Sequence, residues 1–152
     1  MVHTFQLSTS RSLCFTDITS KVRHIVRESG CRNGIAVVFT PHTTAGITIN
    51  ENADPHVLDD LIWKFRDLVP PDEIEYLHAE GNSHSHVLST LTGVSESLII
   101  HEGKLLLGVW QGLYFCEFDG PRKRTVHIKI LSLIHISEPT RPLYISYAVF
   151  CL

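Results

Sequence analysis

The chain has few cysteines, and their spacing matches neither a redox motif nor a metal-binding motif. The four, Cys14, Cys31, Cys116 and Cys151, form no CxxC pair and no zinc-knuckle pattern. The first twelve residues lack the charged and apolar regions of a secretory leader, so we expect reduced thiols and a cytoplasmic location. No apolar run approaches the roughly 18–20 residues that a membrane-spanning helix needs. The sequence therefore argues against a disulfide scaffold and predicts no membrane partner.

The chain also has little net charge. Lys plus Arg number 13 against 16 Asp plus Glu, which gives a net charge of −3. Such a chain offers no overall basic field for nucleic acid, so any anion-binding surface must be local. Walker loops, GxSxG and GxGxxG motifs are absent as well. What is present is a globular composition, 43% hydrophobic over 152 residues, with ten histidines as the outlying feature.

Periodicity predicts one α+β domain. We expect strands at 2–8, 34–40 and 44–50, helices at 16–30, 54–69 and 84–93, and further β-strands between 97 and 131. The apolar run 34–40 predicts a strand buried on both faces, and Asp119-Gly120 predicts a hairpin turn. Because helices and strands do not alternate regularly, the expected sheet is largely antiparallel. It would form a single sheet or a sandwich, with two to three helices packed on it.

The last residues depart from this pattern. Residues 132–152 contain two prolines and an uncapped apolar end, and the segment resembles a translated sequencing-library adapter. We therefore expect a single domain over residues 1–131, followed by a non-native tail that is disordered or poorly packed. His135 and Cys151 leave the list of candidate residues with this tail.

Polar side chains concentrate where the strand 44–50 leads towards a helix. One face of this segment, by period-two counting, carries His42, Thr44, Thr48 and Asn50. Glu51 follows it, close to a helix N-terminus where exposed N–H groups and the helix dipole favour an anion. The pattern fits either a reactive site or a solvated strand edge. Asp54, before Pro55, is expected to cap the helix.

A second histidine cluster lies at the predicted start of the third helix. His84 and His86 are separated by one residue, so in a helix their side chains point about 200° from each other. At most one of them should therefore face the same pocket as His42. The spacing fits a zinc site or a pair of solvated histidines. We assign no role to His3, His24, His78, His101 and His127.

Two further segments carry side chains suited to binding. Trp110 and Gln111, between glycines, can stack on a flat ring and hydrogen-bond its edge, although an ordinary core tryptophan is the alternative. The run Arg122–Arg124 is the only dense cationic cluster in the sequence. It suits phosphate or pyrophosphate, or else forms a solvated turn. Glu117 can pair with these cations or reach a metal.

Three blocks in this order resemble the YjbQ-like family of secondary thiamine-phosphate synthases: PHTTAGITINENADP, EGNSHSHV and LLLGVWQGLYFCEFDGPRKR. The resemblance covers about residues 2–131. It departs at Val109, where the family usually has Thr, and at His84, where relatives are often acidic. It implies an antiparallel β-sandwich with helices, assembled as a homotrimer with active sites near subunit contacts. It also implies an accessory activity that joins a hydroxymethylpyrimidine diphosphate to a thiazole phosphate and releases pyrophosphate.

The candidate residues can be fitted to that chemistry. The catalytic set is His42, Asn50, Glu51 and His86. The substrate-binding set is Thr44, Thr48, Trp110, Gln111, Arg122 and Arg124. A divalent metal is expected, either zinc at His42, His84 and His86 or Mg²⁺ with the diphosphate. Two alternatives stay open, a metal-dependent hydrolase of a small phosphorylated or heterocyclic metabolite and a non-catalytic metabolite-binding trimer.

Overall fold

The computed structural model describes residues 1–133, which form two antiparallel β-sheets and three helices. In chain order the elements are β1 (Val2–Ser8), β2 (Cys14–Asp17), α1 (Thr19–Glu28), β3 (Gly34–Phe39), β4 (Ala45–Glu51), α2 (His56–Leu68), α3 (Ser83–Thr92), β5 (Ser95–His101), β6 (Lys104–Leu105), β7 (Gln111–Glu117) and β8 (Lys123–Ser132). One sheet has the order β1-β8-β3-β5-β6 and the other β2-β7-β4. The predicted α+β class and antiparallel pairing are confirmed.

The expected tail falls almost wholly outside the described residues. Of the segment 132–152, only Ser132, the last residue of β8, and Leu133 belong to the described part. Among the described residues, no helix has the length and apolarity that crossing a bilayer requires.

The main core lies between the two sheets. Alternate residues of β7 and β8 point into it, and Leu113, Phe115, Val126 and Ile128 are completely buried. Helix α1 adds Val22 and Val26, because its apolar residues recur three to four positions apart. Burying each such side chain stabilises the fold by about 1.5–3 kcal/mol.

A second, smaller core lies on the other face of the three-stranded sheet, under α2 and α3. It contains Leu88 of α3, Cys116 and Phe118, with Ile62 and Phe65 of α2 packed against it. No residue of α2 is fully buried, so the predicted apolar stripe of this helix is only partly covered. As expected, Asp54 caps the start of α2: its Oδ1 accepts the backbone N–H of His56 at 2.9 Å.

Helix α3 is held against β4 and the end of β7 by hydroxyl groups and by close approach. The Ser89 hydroxyl donates to the Ala45 carbonyl and the Ser85 hydroxyl donates to the Phe118 carbonyl, both at 2.6 Å. At Gly46 a Cβ atom would lie 2.8 Å from the Thr92 Cγ2 atom, so a larger residue there would push the helix away. The apolar face of β4 points to the core as predicted. Its opposite face is covered by α3 at Gly46 and is not a simple solvated edge.

Two expectations about the strands were wrong. Strand β3 is buried on one face only: Ala36 and Val38 have no exposed surface, whereas Ile35 and Phe39 are each 39% exposed. The reason is that α1, α2 and α3 all pack elsewhere, and no described element covers this outer face. The Asp119-Gly120 turn is not a hairpin either. It carries the chain from β7 in one sheet to β8 in the other, so the two strands do not pair.

Two shorter features complete the comparison with the expected elements. Strand β2 was missed, since its last two residues, Thr16 and Asp17, were assigned to the predicted start of α1. The helix begins later because Asp17 Oδ1 accepts the Thr19 N–H at 2.7 Å. The predicted turn between β5 and β6 is a two-residue hairpin, with Glu102 and Gly103 at φ values of 49° and 80°.

A buried ion pair joins the two sheets at one end of the sandwich. Glu117 and Arg124 occupy inward positions of β7 and β8, so both charges are inside the protein. Arg124 Nε donates to Glu117 Oε2 at 2.7 Å, and Arg124 Nη2 also donates to the Thr44 hydroxyl at 2.9 Å. The carboxylate further accepts the Thr9 hydroxyl and the Asp119 N–H. Such a pair is tolerable inside because both side chains make further hydrogen bonds.

We predict that Glu117→Gln destabilises the protein strongly. The variant leaves the Arg124 charge buried without a counterion, which typically costs about 3–5 kcal/mol. Urea unfolding followed by circular dichroism measures the change in the free energy of unfolding.

The matched control is Asp67→Asn, which breaks the ion pair with Lys64 on the surface of α2, where both side chains are about half exposed. Its expected cost is below about 1 kcal/mol. Equal losses in the two variants would contradict a structural role for the buried pair.

Candidate functional site

A polar cavity of about 450 Å³ lies beside the buried ion pair. Its walls come from three segments: residues 41–44 before β4, residues 78–86 leading into α3, and residues 119–124 between β7 and β8. Five residues of the predicted site meet here: His42, Thr44, His86, Arg122 and Arg124. These segments are distant in sequence, and the crossing from one sheet to the other brings them together.

His42 is held in a defined protonation state. Its Nε2 accepts the backbone N–H of Thr125 at 2.9 Å, so in the neutral ring the proton is on Nδ1. Burial lowers the pKa of His42, and the positive charge of Arg124 lowers this pKa further, against a smaller opposing effect of Glu117. The side chain is therefore a neutral hydrogen-bond donor at neutral pH, with Nδ1 as the only ring nitrogen left for a ligand.

The two histidines of the α3 cluster separate, as their helical positions predict. His86 is half-buried and lines the cavity with His42. His84 lines a different, mainly apolar cavity with Leu88 and Phe118, and its buried Nδ1 has no hydrogen-bond partner in the described part of the chain.

His78 joins the site although its sequence position suggested no role. Its ring lies edge-to-face with that of His86, with the two ring centres 5.3 Å apart. His78 is exposed and comes from the loop between α2 and α3. It lies in a segment predicted as a loop, where no helix or strand period applies, so periodicity carried no signal for it. With His42, the cavity has three imidazole groups.

The cations of this cavity are already paired. Arg122 Nη2 lies 2.7 Å from Asp119 Oδ2, and Arg124 is bound by Glu117 inside the protein. Asn82 Nδ2 also donates to Asp119 Oδ2, at 3.0 Å, whereas the buried Asn82 Oδ1 has no partner within residues 1–133. The cationic run seen in the sequence is therefore largely neutralised, and an anion would have to compete with Asp119 for Arg122.

Most of the remaining predicted residues lie towards the other end of β4. Ala45 pairs with Glu117 and Glu51 pairs with Gln111, six residues further along, which separates the two ends by about 20 Å. Asn50 and Glu51 lie at this far end, with Trp110 next to it and Thr48 half-buried in between. Trp110 is 66% exposed, so it is not an ordinary core tryptophan.

Several of these side chains are used within the fold. Gln111 Oε1 accepts the N–H of Gly108 at 2.8 Å, and Asn50 Oδ1 accepts the N–H of Glu51 at 2.8 Å. Within one chain, the predicted catalytic and binding residues thus lie in two regions, the His42 cavity and the far end of β4. The roles assigned to the residues of the far end stay predictions.

The predicted metal ligands do not converge. His84 lies in a separate cavity, and His42 has already committed Nε2 to Thr125. Within residues 1–133 there is no group of three or more His, Cys, Asp or Glu side chains placed to hold one metal ion. The set His42, His84 and His86 therefore does not fit a zinc site in this structure.

We predict that His42 titrates below its ordinary pKa of 6.5 in the folded, metal-free protein. Because the unfolded chain takes up this proton first, the contribution of His42 to stability is complete above pH 6.5 and is lost as the pH falls through the lowered pKa. Histidine NMR titration measures the pKa, and thermal unfolding between pH 7.5 and 5 measures the loss.

His42→Gln is the matched control, since its side-chain oxygen can accept the Thr125 N–H but does not titrate. This variant should lose less stability than the wild-type protein over the same pH range. A His42 pKa at or above the ordinary value would contradict the arrangement.

Two solved structures resemble the described fold over most of their length. A YjbQ/UPF0047 family protein of Clostridium acetobutylicum matches with a TM-score of 0.83 and 53% identity, over 85% of this chain and 99% of that chain. A YbjQ-like protein of unknown function from Sulfolobus solfataricus matches with a TM-score of 0.83 and 33% identity, over 87% and 96% of the two chains.

Sequence relatives give the same result. The chain is 46% identical over 131 residues to the UPF0047 protein YugU of Bacillus subtilis, covering 86% of this chain and 99% of that protein. It is 47% identical over 131 residues to the UPF0047 protein MJ1081 of Methanocaldococcus jannaschii, covering 86% and 94%. The family model described as UPF0047 protein YjbQ-like matches residues 3–133. The chain belongs to the YjbQ/UPF0047 family.

Proposed function

We propose that the His42 cavity is the active site of an enzyme acting on a small diphosphate-bearing metabolite, with thiamine-phosphate synthase as its reaction. One observation carries the proposal: three imidazole and two guanidinium groups line a single polar cavity of about 450 Å³. A cavity of that size suits a small metabolite. Imidazoles beside guanidinium groups suit proton transfer next to a phosphate group.

In this reaction the bond between the pyrimidine methylene carbon and the diphosphate oxygen breaks, and the electron pair leaves with the diphosphate. The thiazole nitrogen then uses its lone pair to form the new carbon–nitrogen bond, and pyrophosphate is released. The protein must stabilise charge on the leaving oxygen. Arg122 can do so by exchanging Asp119 for the diphosphate, because an ion pair whose arginine is 52% exposed contributes no more than about 1 kcal/mol.

The histidines supply the proton chemistry. His86 is half-buried beside His78, and in its charged form it can protonate the departing diphosphate. His42 can donate a hydrogen bond from Nδ1 to a substrate oxygen. Arg124 has a different role: held by Glu117 and Thr44, it sets the charge of the cavity wall and is not available to move.

A hydrolase of a small phosphorylated or heterocyclic metabolite is the second candidate. It is favoured by the position of Trp110, which lies about 20 Å from the cavity in the same chain and cannot serve there as the stacking wall for a pyrimidine. Hydrolysis needs no second organic substrate, so water can replace the thiazole. Zinc and Mg²⁺ enter the assay as additions, since no step is assigned to them.

We also propose that the protein is a cytoplasmic homotrimer with its active sites near subunit contacts. The support is the uncovered outer face of the five-stranded sheet, where Ile35, Phe39, Ile99 and Leu131 are each at least 39% exposed. Contiguous apolar surface of this kind favours association with another protein chain.

Light scattering coupled to size-exclusion chromatography tests the assembly. We expect a mass of three times 17.2 kDa. Ile99→Lys on the outer face should shift this mass towards the monomer, because a charge would be buried without a partner. Trp63→Lys, an exposed position on α2, is the control and should leave the mass unchanged. A monomer at all concentrations would overturn the assembly proposal.

For the activity, we predict pyrophosphate release only when both the pyrimidine diphosphate and the thiazole phosphate are present. His86→Ala should lower kcat/KM by about 10²-fold or more. Pyrophosphate is followed with a coupled assay in EDTA, in Mg²⁺ and in Zn²⁺.

His84→Ala is the matched control, because this histidine is two positions away on α3 but lines a different cavity. Phosphate or pyrophosphate release without the thiazole would favour the hydrolase. If no turnover occurs under any metal condition, neither enzyme proposal stands. Thermal stabilisation by the substrates without turnover would then indicate a binding protein.

A further inference from the structure

Three cationic side chains, Arg23, Arg27 and Lys104, lie near the far end of β4, away from the His42 cavity. Arg23 and Arg27 are one turn apart on the exposed side of α1. Neither Arg23 nor Lys104 of β6 has a salt-bridge partner within residues 1–133. Arg27 Nε lies 3.9 Å from Glu28 Oε1 on the surface, and Arg27 Nη2 donates to Nδ1 of His24 at 3.0 Å. The arrangement contrasts with Arg122 and Arg124, which are both paired, and sequence order does not reveal it.

Two adjoining cavities meet at these arginines. One, of about 510 Å³, is lined by Arg23, Arg27 and Trp110, among others. The next, of about 560 Å³, shares both arginines and adds Lys104 and Glu102. Like charges four residues apart on a helix repel each other, so the repulsion between Arg23 and Arg27 destabilises α1. An anion between the two side chains would reverse that effect.

Trp110 provides a flat apolar wall in the first cavity. It is 66% exposed, and Val109 beside it is 98% exposed. The loop is nevertheless fixed: the Trp110 carbonyl accepts the Asn52 N–H at 2.7 Å, and Gln111 hydrogen-bonds Gly108 through both backbone and side chain. A well-fixed loop therefore holds an indole ring in water, where the ring contributes no hydrophobic burial to the stability of the fold.

Within residues 1–133, the one carboxylate lining the cavity of Trp110 is already engaged. Asp17 Oδ2 accepts from Asn52 Nδ2 at 2.9 Å, and Asp17 Oδ1 accepts the Thr19 N–H. Two guanidinium groups thus face a single hydrogen-bonded carboxylate. The balance of charge in the cavity favours an anion.

We propose that the groove formed by the cavity of Arg23, Arg27 and Trp110 is a second binding site. Its ligand would be a small molecule that joins a flat aromatic ring to a phosphate group. The indole of Trp110 stacks on the ring, and Arg23 and Arg27 bind the phosphate through paired N–H donors. The volume suits one nucleotide-sized molecule. A nucleic-acid strand is disfavoured, since the chain carries a net charge of −3 and the cations do not extend into a track. The proposal does not depend on the activity proposed for the His42 cavity.

Fluorescence titration of the full chain tests the proposal. The protein has two tryptophans, so Trp63→Phe leaves Trp110 as the only indole reporter. Adenosine monophosphate is the probe, and we expect saturable quenching with a Kd below about 1 mM. Adenosine alone and inorganic phosphate alone should each bind at least about tenfold more weakly than adenosine monophosphate, because each fills only half of the site.

Three variants in the Trp63→Phe background locate the binding. Arg23→Gln with Arg27→Gln should weaken the probe at least about tenfold, with no loss of thermal stability, since both side chains are exposed. Arg66→Gln, an exposed arginine on α2, and His86→Ala, in the other cavity, should leave the affinity unchanged.

Absence of saturable quenching up to about 10 mM probe would overturn the proposal. So would quenching that the double arginine variant does not alter, or that His86→Ala abolishes. A single-stranded oligonucleotide that binds more tightly than the mononucleotide would also overturn it, by showing that the groove is part of a nucleic-acid surface.

Discussion

The pairing of Glu117 with Arg124 is the constraint on which the candidate active site depends. Both residues lie at inward positions of their strands, so the end of the sandwich can close only if the two charges meet. Their bonds to Thr9 and Thr44 then position the chain before β4 and after β1. Burial lowers the pKa of His42, and the same arginine lowers this pKa further, which favours the neutral ring. The packing of one ion pair thereby shapes the wall of the cavity and contributes to the neutral state of His42.

Helix α3 is the second element that positions the chemistry. It lies close to β4 because Gly46 has no side chain and because Ser85 and Ser89 donate to main-chain carbonyls. His86 belongs to the first turns of this helix, so its distance from His42 is set by that contact. The opposite end of β4 carries a different character, with exposed cations and an exposed indole. Six residues of strand separate a polar, histidine-rich end from a cationic, aromatic one.

Much of this arrangement follows from the sequence, and the exceptions have physical causes. Period-two and helical spacing locate β1, β4 and the three helices. The angle of about 200° between side chains two positions apart on a helix correctly places His84 and His86 in different cavities. Local patterns cannot show which sheet a strand joins, so the crossing between β7 and β8 was taken for a hairpin. The exposed face of β3 was missed for the same reason, because burial depends on which elements pack against a sheet. Pairing partners such as Glu117 for Arg124 also come only from the tertiary fold.

The lengths of the strands at the sheet borders have a consequence for solubility. Of the four border strands in the described chain, β6 has two residues and β2 has four. Short borders offer few free N–H and C=O groups to a strand of another molecule. At the β4 border, the Ile47 N–H is taken by the carbonyl of Gly93, in the segment after α3. Three of the four borders are thus poor templates for fibre-like stacking, a protection built into the order of the strands.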